Sequence, residues 1–381
     1  MPTSTTRISL PSPAPGTERA LLVHRFGQPG ARPKAYFQAA LHADEIPGLL
    51  VAQHLLAALE QAQAEGRILG EVLVVPVANP IGLGQHLNGS LLGRFDWETS
   101  GNFNRGFPSL AQPVLERVRG RLGADPAENV ALVREALGQA LAAHPVAEET
   151  ETLKRELLGL ALDADLVLDL HCAGEALQHL YASRWQREDA VALGAELGCT
   201  AILLDEGPGG TPFDDACNGP WWQLRQALPA DVALPLACFA VTVELRGQTD
   251  VSDAYAAADS AALVRFLQRR GVLAGDPGAL PEPRCEATAL EAVDVLTAPA
   301  AGVVVYHKQL GETVAAGELV AEIVSPLGEP LGAARTPIRS ATSGLFFNRK
   351  MGRLVRPGQK LCMVAGREPL DYRKPGNLLG D

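Results

Sequence analysis

The sequence predicts an α/β domain, a mixed sheet flanked by helices, followed by a smaller all-β sandwich. Three features predict it. Up to about residue 271, short apolar runs alternate with longer amphipathic stretches, the pattern of strands and helices stacked in layers. A Gly/Pro-rich segment, AGDPGALPEP at 274–283, interrupts that pattern. Beyond it helical periodicity stops, and short Val-rich runs separated by glycine turns begin. The expected organisation is an N-terminal arm over 1–19, a main domain over 20–273, a linker over 274–290 and the sandwich over 291–381.

In chain order, residues 1–18 are polar and Pro-rich and read as a loose arm. Strands are expected at 35–41, 72–77, 166–170, 201–204 and 240–244, each short, largely apolar and in several cases β-branched. Helices are expected at 47–65, 127–143, 148–160, 189–197 and 253–270. Pro47 suits the first turn of its helix, where its missing N–H would be unpaired anyway. Past the linker, 302–324 and 344–366 form an internal repeat. Gly302, Gly311 and Gly317 answer to Gly344, Gly352 and Gly358, and the second spacing is six residues in both copies. Two such halves make a small sandwich of pseudo-twofold symmetry that resembles the biotinyl/lipoyl-carrier domain. Such carriers present a modifiable lysine between their halves. The matching stretch here, SPLGEP at 325–330, has none, so covalent lipoylation or biotinylation is not expected and the domain reads as structural or as a lid.

Composition narrows the function. The chain has 381 residues, with 44 acidic against 33 basic side chains and a net charge of −11, which argues against nucleic acid as a partner. No run of about 20 apolar residues lacks charge or proline, so no membrane span is expected. The six cysteines contain no CxxC pair, which speaks against a disulfide framework or a four-cysteine zinc site. The first residues lack the apolar core of a signal peptide, and the expected location is the cytoplasm.

Four pieces carry chemistry. The first expected strand runs into His42-Ala43-Asp44-Glu45, and a tight turn puts His42 and Glu45 on one side. The pair suits Zn²⁺; alone it also reads as a solvated helix start with an acidic first turn. His171 follows the apolar run at 166–170, where open α/β sheets place ligands; alone it also reads as a strand-end histidine bonded to backbone. Together His42, Glu45 and His171 make the two-histidine, one-glutamate set of a catalytic zinc, with the fourth position open for water. Cys172 should point to the opposite face. Glu244 ends another apolar run; beside a metal it could accept a proton from water, and otherwise it reads as solvated or salt-bridged to Arg246. Asn104 and Arg105, in NFNRGFP, offer an amide beside a planar fork of donors, which suits a carboxylate, or form an ordinary loop with a solvated arginine. Arg94 is a candidate second cation. His86, in the long segment after Pro80, is a weaker candidate for the site. His54 falls within the helix expected at 47–65 and reads as a surface or packing residue, and His24, His144, His179 and His307 have no metal-like neighbours. FDDACNGPWW at 213–222 reads as a loop whose aromatics and acids line a pocket or seal an interface.

HADE, VVPVANP, NFNRGFP, DLHCAG and VTVEL, in that order, resemble the succinylglutamate desuccinylase/aspartoacylase family of the zinc carboxypeptidase-like superfamily, over roughly residues 20–270. The resemblance implies zinc on His42, Glu45 and His171, Glu244 as general base, and Asn104 with Arg105 on a substrate carboxylate. It also implies a cation that polarises the scissile carbonyl, for which Arg94 is the candidate. Two departures stand out. The family often has Asp where this chain has Asn102, which would deprive the arginine of an orienting carboxylate. The connection from Pro80 to Asn102 is long, and 109–160 reads as a helical insertion. The expected activity is zinc-dependent hydrolysis of an N-acyl amino acid or related small, carboxylate-bearing amide. A metallocarboxypeptidase acting on short peptides is the alternative, and a metal-free binding protein a further one. A homo-oligomer is compatible with all three.

Overall fold

The computed structural model describes residue 1 and residues 3–207, 211–327 and 334–374. Among these, nine strands form one mixed sheet in the spatial order Ser4–Ser9, Ala20–Gly27, Glu71–Val75, Lys34–Ala39, Leu166–Ala173, Phe239–Gly247, His179–Ser183, Ala201–Asp205 and Ala287–Ala289. Lys34–Ala39, Leu166–Ala173 and Phe239–Gly247 are neighbours and run parallel, so they end at the same edge.

Side chains alternate across the sheet. Ala35, Phe37 and Ala39, with Leu166, Leu168 and Leu170, pack on helices Pro47–Ala64, Arg187–Leu197 and Asp253–Arg269. Tyr36 and Val167 face the other way, onto Ala111–Val118, Pro126–Ala142, Glu149–Ala161 and Phe213–Ala227. Each fully buried Leu or Phe contributes roughly 1.5–3 kcal/mol, so the two cores together fix the three layers.

The structure adds strands Ala20–Gly27 and His179–Ser183 and helix Ala111–Val118 to the expected elements, and it departs from expectation elsewhere as well. The stretch at 213–222 belongs to the helix Phe213–Ala227, not a loop. Phe213, Cys217, Trp221 and Leu224 recur at helical spacing on one buried face, and that burial overrides the Asn, Gly and Pro between them. The expected loose arm contributes Ser4–Ser9, antiparallel to Ala20–Gly27. Its side chains are mostly exposed, so backbone pairing holds it and no apolar pattern marks it. Ala287–Ala289, inside the expected linker, pairs in parallel with Ala201–Asp205.

The C-terminal region forms two antiparallel sheets. One holds Arg335–Arg339, Leu319–Val324, Gly302–Tyr306 and Leu354–Val355; the other Val293–Thr297, Lys360–Ala365, Gly344–Arg349 and Thr313–Val314. Val304, Ile323, Phe346 and Val364 meet between them. Each repeat supplies a strand, a short strand and a strand, and the short one crosses to the other repeat's sheet. Gly302 and Gly344 are required for close approach: a Cβ on the first would collide with the Val324 carbonyl, and on the second with that of Ala365. The SPLGEP stretch lies partly outside the described residues.

The two regions are joined next to the end of the Leu166–Ala173 strand. Glu175–Ala176 pairs with Gly344–Arg349, and the Glu175 carboxylate accepts from Arg349 Nε at 2.5 Å and Arg353 Nη2 at 2.6 Å. Tyr181, Leu203, Leu290, Val293, Phe347 and Met363 pack at this junction. No helix among the described residues is long and apolar enough to cross a membrane.

Candidate active site

Three neighbouring parallel strands deliver three side chains to one edge. The chain leaves Lys34–Ala39 at Ala40, whose φ of 57° lies in the left-handed region, a strain of the kind held at functional sites. Asn79 pins the exit: its Nδ2 donates to the Leu41 carbonyl at 2.9 Å, and its Oδ1 accepts from Gly82 N–H at 2.8 Å. Glu45 N–H donates to the His42 carbonyl at 3.1 Å, closing the turn before Pro47 opens its helix. His171 shares a strand face with Val167 and Asp169, while Cys172 packs in the opposite core. Burial pushes the Cys172 thiol up, so it is no nucleophile. Glu244 stands directly beside His171 on the next strand. Arg246 turns away, with φ of 63°, and pairs with Asp259 instead of Glu244.

Glu45 bridges the two histidines. Its Oε1 lies 2.9 Å from His42 Nδ1 and its Oε2 2.8 Å from His171 Nδ1. All three residues are buried, and their ligand atoms lie within 4.8 Å of one another. The outer nitrogens have partners of their own. His42 Nε2 lies 2.8 Å from Asn102 Oδ1, and His171 Nε2 2.8 Å from Asp169 Oδ2. Asn102 Oδ1 also accepts from Asn104 N–H at 2.9 Å, which identifies it as the acceptor and places the His42 proton on Nε2. His42 Nδ1 then points inward with its lone pair, and His171 Nδ1 faces the Glu45 carboxylate. Burial, a carboxylate between two imidazoles, and oriented outer nitrogens fit a divalent metal ion.

The electrostatics are tightly coupled. Burial opposes charge on Glu45, yet the two imidazoles hold its carboxyl well below the usual range. Burial lowers His42. Burial also opposes charge on His171, but Asp169 and Glu45 outweigh it and raise it well above an ordinary histidine. Burial, with Glu45 nearby, pushes Glu244 up to about 7. Its Oε2 has no hydrogen-bond partner among the described residues.

The other expected residues gather here too. Gly93 packs so close to the 42–45 turn that a Cβ would lie 2.6 Å from Asp44 N, and Ala43 N–H donates to its carbonyl at 2.9 Å. That seats Arg94, whose Nη1 lies 3.1 Å from His42 Nδ1 and 3.2 Å from Glu45 Oε1. Asn104 Oδ1 accepts from Phe213 N–H at 2.8 Å, and Arg105 Nη1 donates to the Asn104 carbonyl at 2.7 Å. His42, Glu45, Arg94, Asn104, Arg105, His171 and Glu244 all line one cleft of about 460 Å³.

Sequence reasoning missed part of this cleft. Asp169 was visible as a charge inside an apolar run. Asn102, noted in the sequence only as a departure from the family's Asp, turns its oxygen to His42. Asp205 and Tyr181 also line the cleft, and of the 213–222 stretch only Asp214 does. The sandwich supplies a further wall, residues 348–352 and 360–363. His86 sits exposed on a small hairpin and does not line the cleft.

The sequence profile of the Succinylglutamate desuccinylase/Aspartoacylase catalytic domain matches residues 31–144. That span holds His42, Glu45, Arg94, Asn104 and Arg105; His171 and Glu244 lie beyond it. No curated protein matches the chain in sequence. Among solved structures, a protein classed with the succinylglutamate desuccinylase/aspartoacylase family from Shewanella amazonensis is 28% identical, with a TM-score of 0.82 over 95% of this chain and 98% of that one. One from Shewanella frigidimarina is 25% identical, with a TM-score of 0.82 over 95% and 97%. A succinylglutamate desuccinylase/aspartoacylase from Rhodobacter sphaeroides shares the fold at 16% identity, with a TM-score of 0.67 over 96% of both chains. These matches bear out the family resemblance carried by the five motifs.

Proposed function

We propose that the protein is a zinc-dependent amidohydrolase that cleaves an N-acyl amino acid or related small amide. The observation that carries this reading is the meeting in one cleft of His42, Glu45 and His171 with a Glu244 oxygen that has no hydrogen-bond partner among the described residues, beside Asn104 and Arg105. His42, Glu45 and His171 would hold the metal, which when bound supplies Lewis acidity and an acidified water. Glu244 accepts a proton at its carboxylate and returns it to the leaving nitrogen; its raised proton affinity matches a group that must do both near neutral pH. Arg105 and Asn104 hold a substrate carboxylate and so orient the amide. Arg94 places a cation beside the triad, where negative charge develops on the carbonyl oxygen.

The hydrolase unit takes in, beyond residues 20–273, the sheet strands Ser4–Ser9 and Ala287–Ala289, and it is followed by the sandwich strands from Val293–Thr297 to Lys360–Ala365. The sandwich wall favours a small amide over a peptide, because residues 348–352 and 360–363 narrow the cleft. Activity that rises with peptide length would reverse that preference in favour of a carboxypeptidase. The direct test is Glu244→Gln. It should keep its metal and lose turnover by about 10²-fold or more; near-normal turnover would remove Glu244 from the mechanism.

A further inference from the structure

One residue of the Glu244 strand leaves the face its position assigns it. On Phe239–Gly247, Thr242 and Glu244 both line the cleft, as strand residues two apart should. The same period would aim Arg246 into the cleft, one step beyond the Glu244 carboxylate. Arg246 instead lines a different cavity, with Gln178, Tyr255 and Asp259. The strand register shows how it gets there. Glu244 stands opposite His171 and Gly247 opposite Ala173, so Leu245 and Arg246 together face the single residue Cys172. That extra residue makes a bulge, a device that re-aims side chains. Arg246 carries the bulge's left-handed backbone, at φ of 63°, a conformation disfavoured for any residue with a Cβ.

The strained backbone is held from the helix side of the sheet. Arg246 Nη2 donates to Asp259 Oδ2 and Nη1 to Gln178 Oε1, with Nη1 also 3.3 Å from Asp259 Oδ1. Gln178 Nε2 donates to Asp259 Oδ1 at 3.1 Å, and the guanidinium lies 4.4 Å from the centre of the Tyr255 ring. Asp259 is 4% exposed, so letting the arginine go would leave a buried carboxylate without its cation. Past the bulge, Gly247 N–H donates to Asp250 Oδ2 at 2.9 Å, and Gln248 Nε2 donates to Asp44 Oδ2 at 2.9 Å, which ties this strand end to the turn bearing His42 and Glu45. We propose that Arg246 is a positioning residue for Glu244: its clamp on Asp259, Gln178 and Tyr255 holds the bulge that fixes Glu244 beside His171 and keeps the arginine's own cation off the Glu244 carboxylate. Without the clamp the strand would relax toward its regular period and carry the guanidinium to the face of Glu244. This rests on the role proposed for Glu244 above and goes beyond it by naming what holds that residue in place.

The test uses the zinc-loaded full chain and whichever of a panel of N-acetyl amino acids it cleaves fastest. Arg246→Ala should lower kcat by about tenfold or more, with KM and zinc content unchanged, because a misplaced base spoils the chemical step alone. Arg246→Gly should turn over at least about five times faster than Arg246→Ala, since glycine keeps a positive φ without a clamp. Asp259→Asn weakens the clamp from its other end; it should lose kcat in the same way and serves where Arg246→Ala does not fold. An ion pair that only stabilises the fold would lower the melting temperature of these variants and leave kcat alone. Equal kcat in Arg246→Ala and Arg246→Gly, or a loss confined to KM or zinc content, overturns the proposal. No cleavage by the unaltered chain, or normal turnover by Glu244→Gln, would count against the hydrolase role instead. The crystal structure of Arg246→Ala then decides: a Glu244 carboxylate displaced from beside His171 upholds the positioning role, and an unmoved one overturns it.

Discussion

The two walls of the cleft are built on different principles. The strand wall is closed upon itself: Glu45 spans His42 and His171, and Asn102 and Asp169 hold the outer nitrogens, all in buried positions. The sandwich wall is half open, with Met351 exposed and the segment anchored through Glu175 to Arg349 and Arg353. One wall has geometry that a single lost contact would spoil; the other has a surface that could vary without touching the chemistry. The difference teaches that the buried triad and the wall facing it are built from separate pieces of the chain.

The sharpest way to break this comparison is Glu45→Gln. It removes the charge both histidines share, and metal content measured by elemental analysis should collapse, with activity down about 10³-fold or more. Retained metal would show that the strand wall is not the metal centre. Asn102→Ala should weaken metal affinity by about 10- to 100-fold in a competition titration, because His42 loses the partner that fixes its tautomer. Glu175→Ala belongs to the other wall. It should leave metal affinity unchanged and lower kcat/KM by about tenfold, mainly through KM; a matching loss of kcat would mean the walls are not separable.

The smallest effect concerns the joint between the walls. His179 is fully buried between the rings of Tyr181 and Phe347, its Nε2 has no partner among the described residues, and burial lowers it to about 4. The unfolded chain takes up a proton near pH 6.5 and the folded chain does not. Stability is therefore complete above the unfolded value and falls as pH drops from 6.5 toward 4, by on the order of 3 kcal/mol. Urea midpoints across that range should show the slope, and His179→Gln should flatten it.

Much of the strand wall was legible because its residues punctuate apolar runs. HADE, DLHC and VTVEL each place a polar side chain where a buried strand ends, and the strand period then decides which face it takes. Asp169 was equally visible, two residues before His171, but its meaning depends on which nitrogen it meets. The sandwich wall was not legible. Residues 348–352 begin with Asn348 and Arg349, the end of a strand that pairs there with Ala176 and Glu175, and nothing local in either segment encodes that pairing. Ser4–Ser9 was hidden for a related reason, since a backbone ladder with exposed side chains leaves no hydrophobic period. In Phe213–Ala227 the period was present, but its turn-forming residues masked it.

The exchange of short strands between the two repeats has a consequence for the order of assembly. Thr313–Val314 waits for Gly344–Arg349, and Gly302–Tyr306 borrows Leu354–Val355, so neither half can complete its sheet before the other has been synthesised. The strands bearing His42, His171 and Glu244 leave the ribosome earlier than the segments that cover them. The residues with which the sandwich walls the cleft are therefore the last of its lining to be made, and that wall is complete only once the second repeat has joined the first.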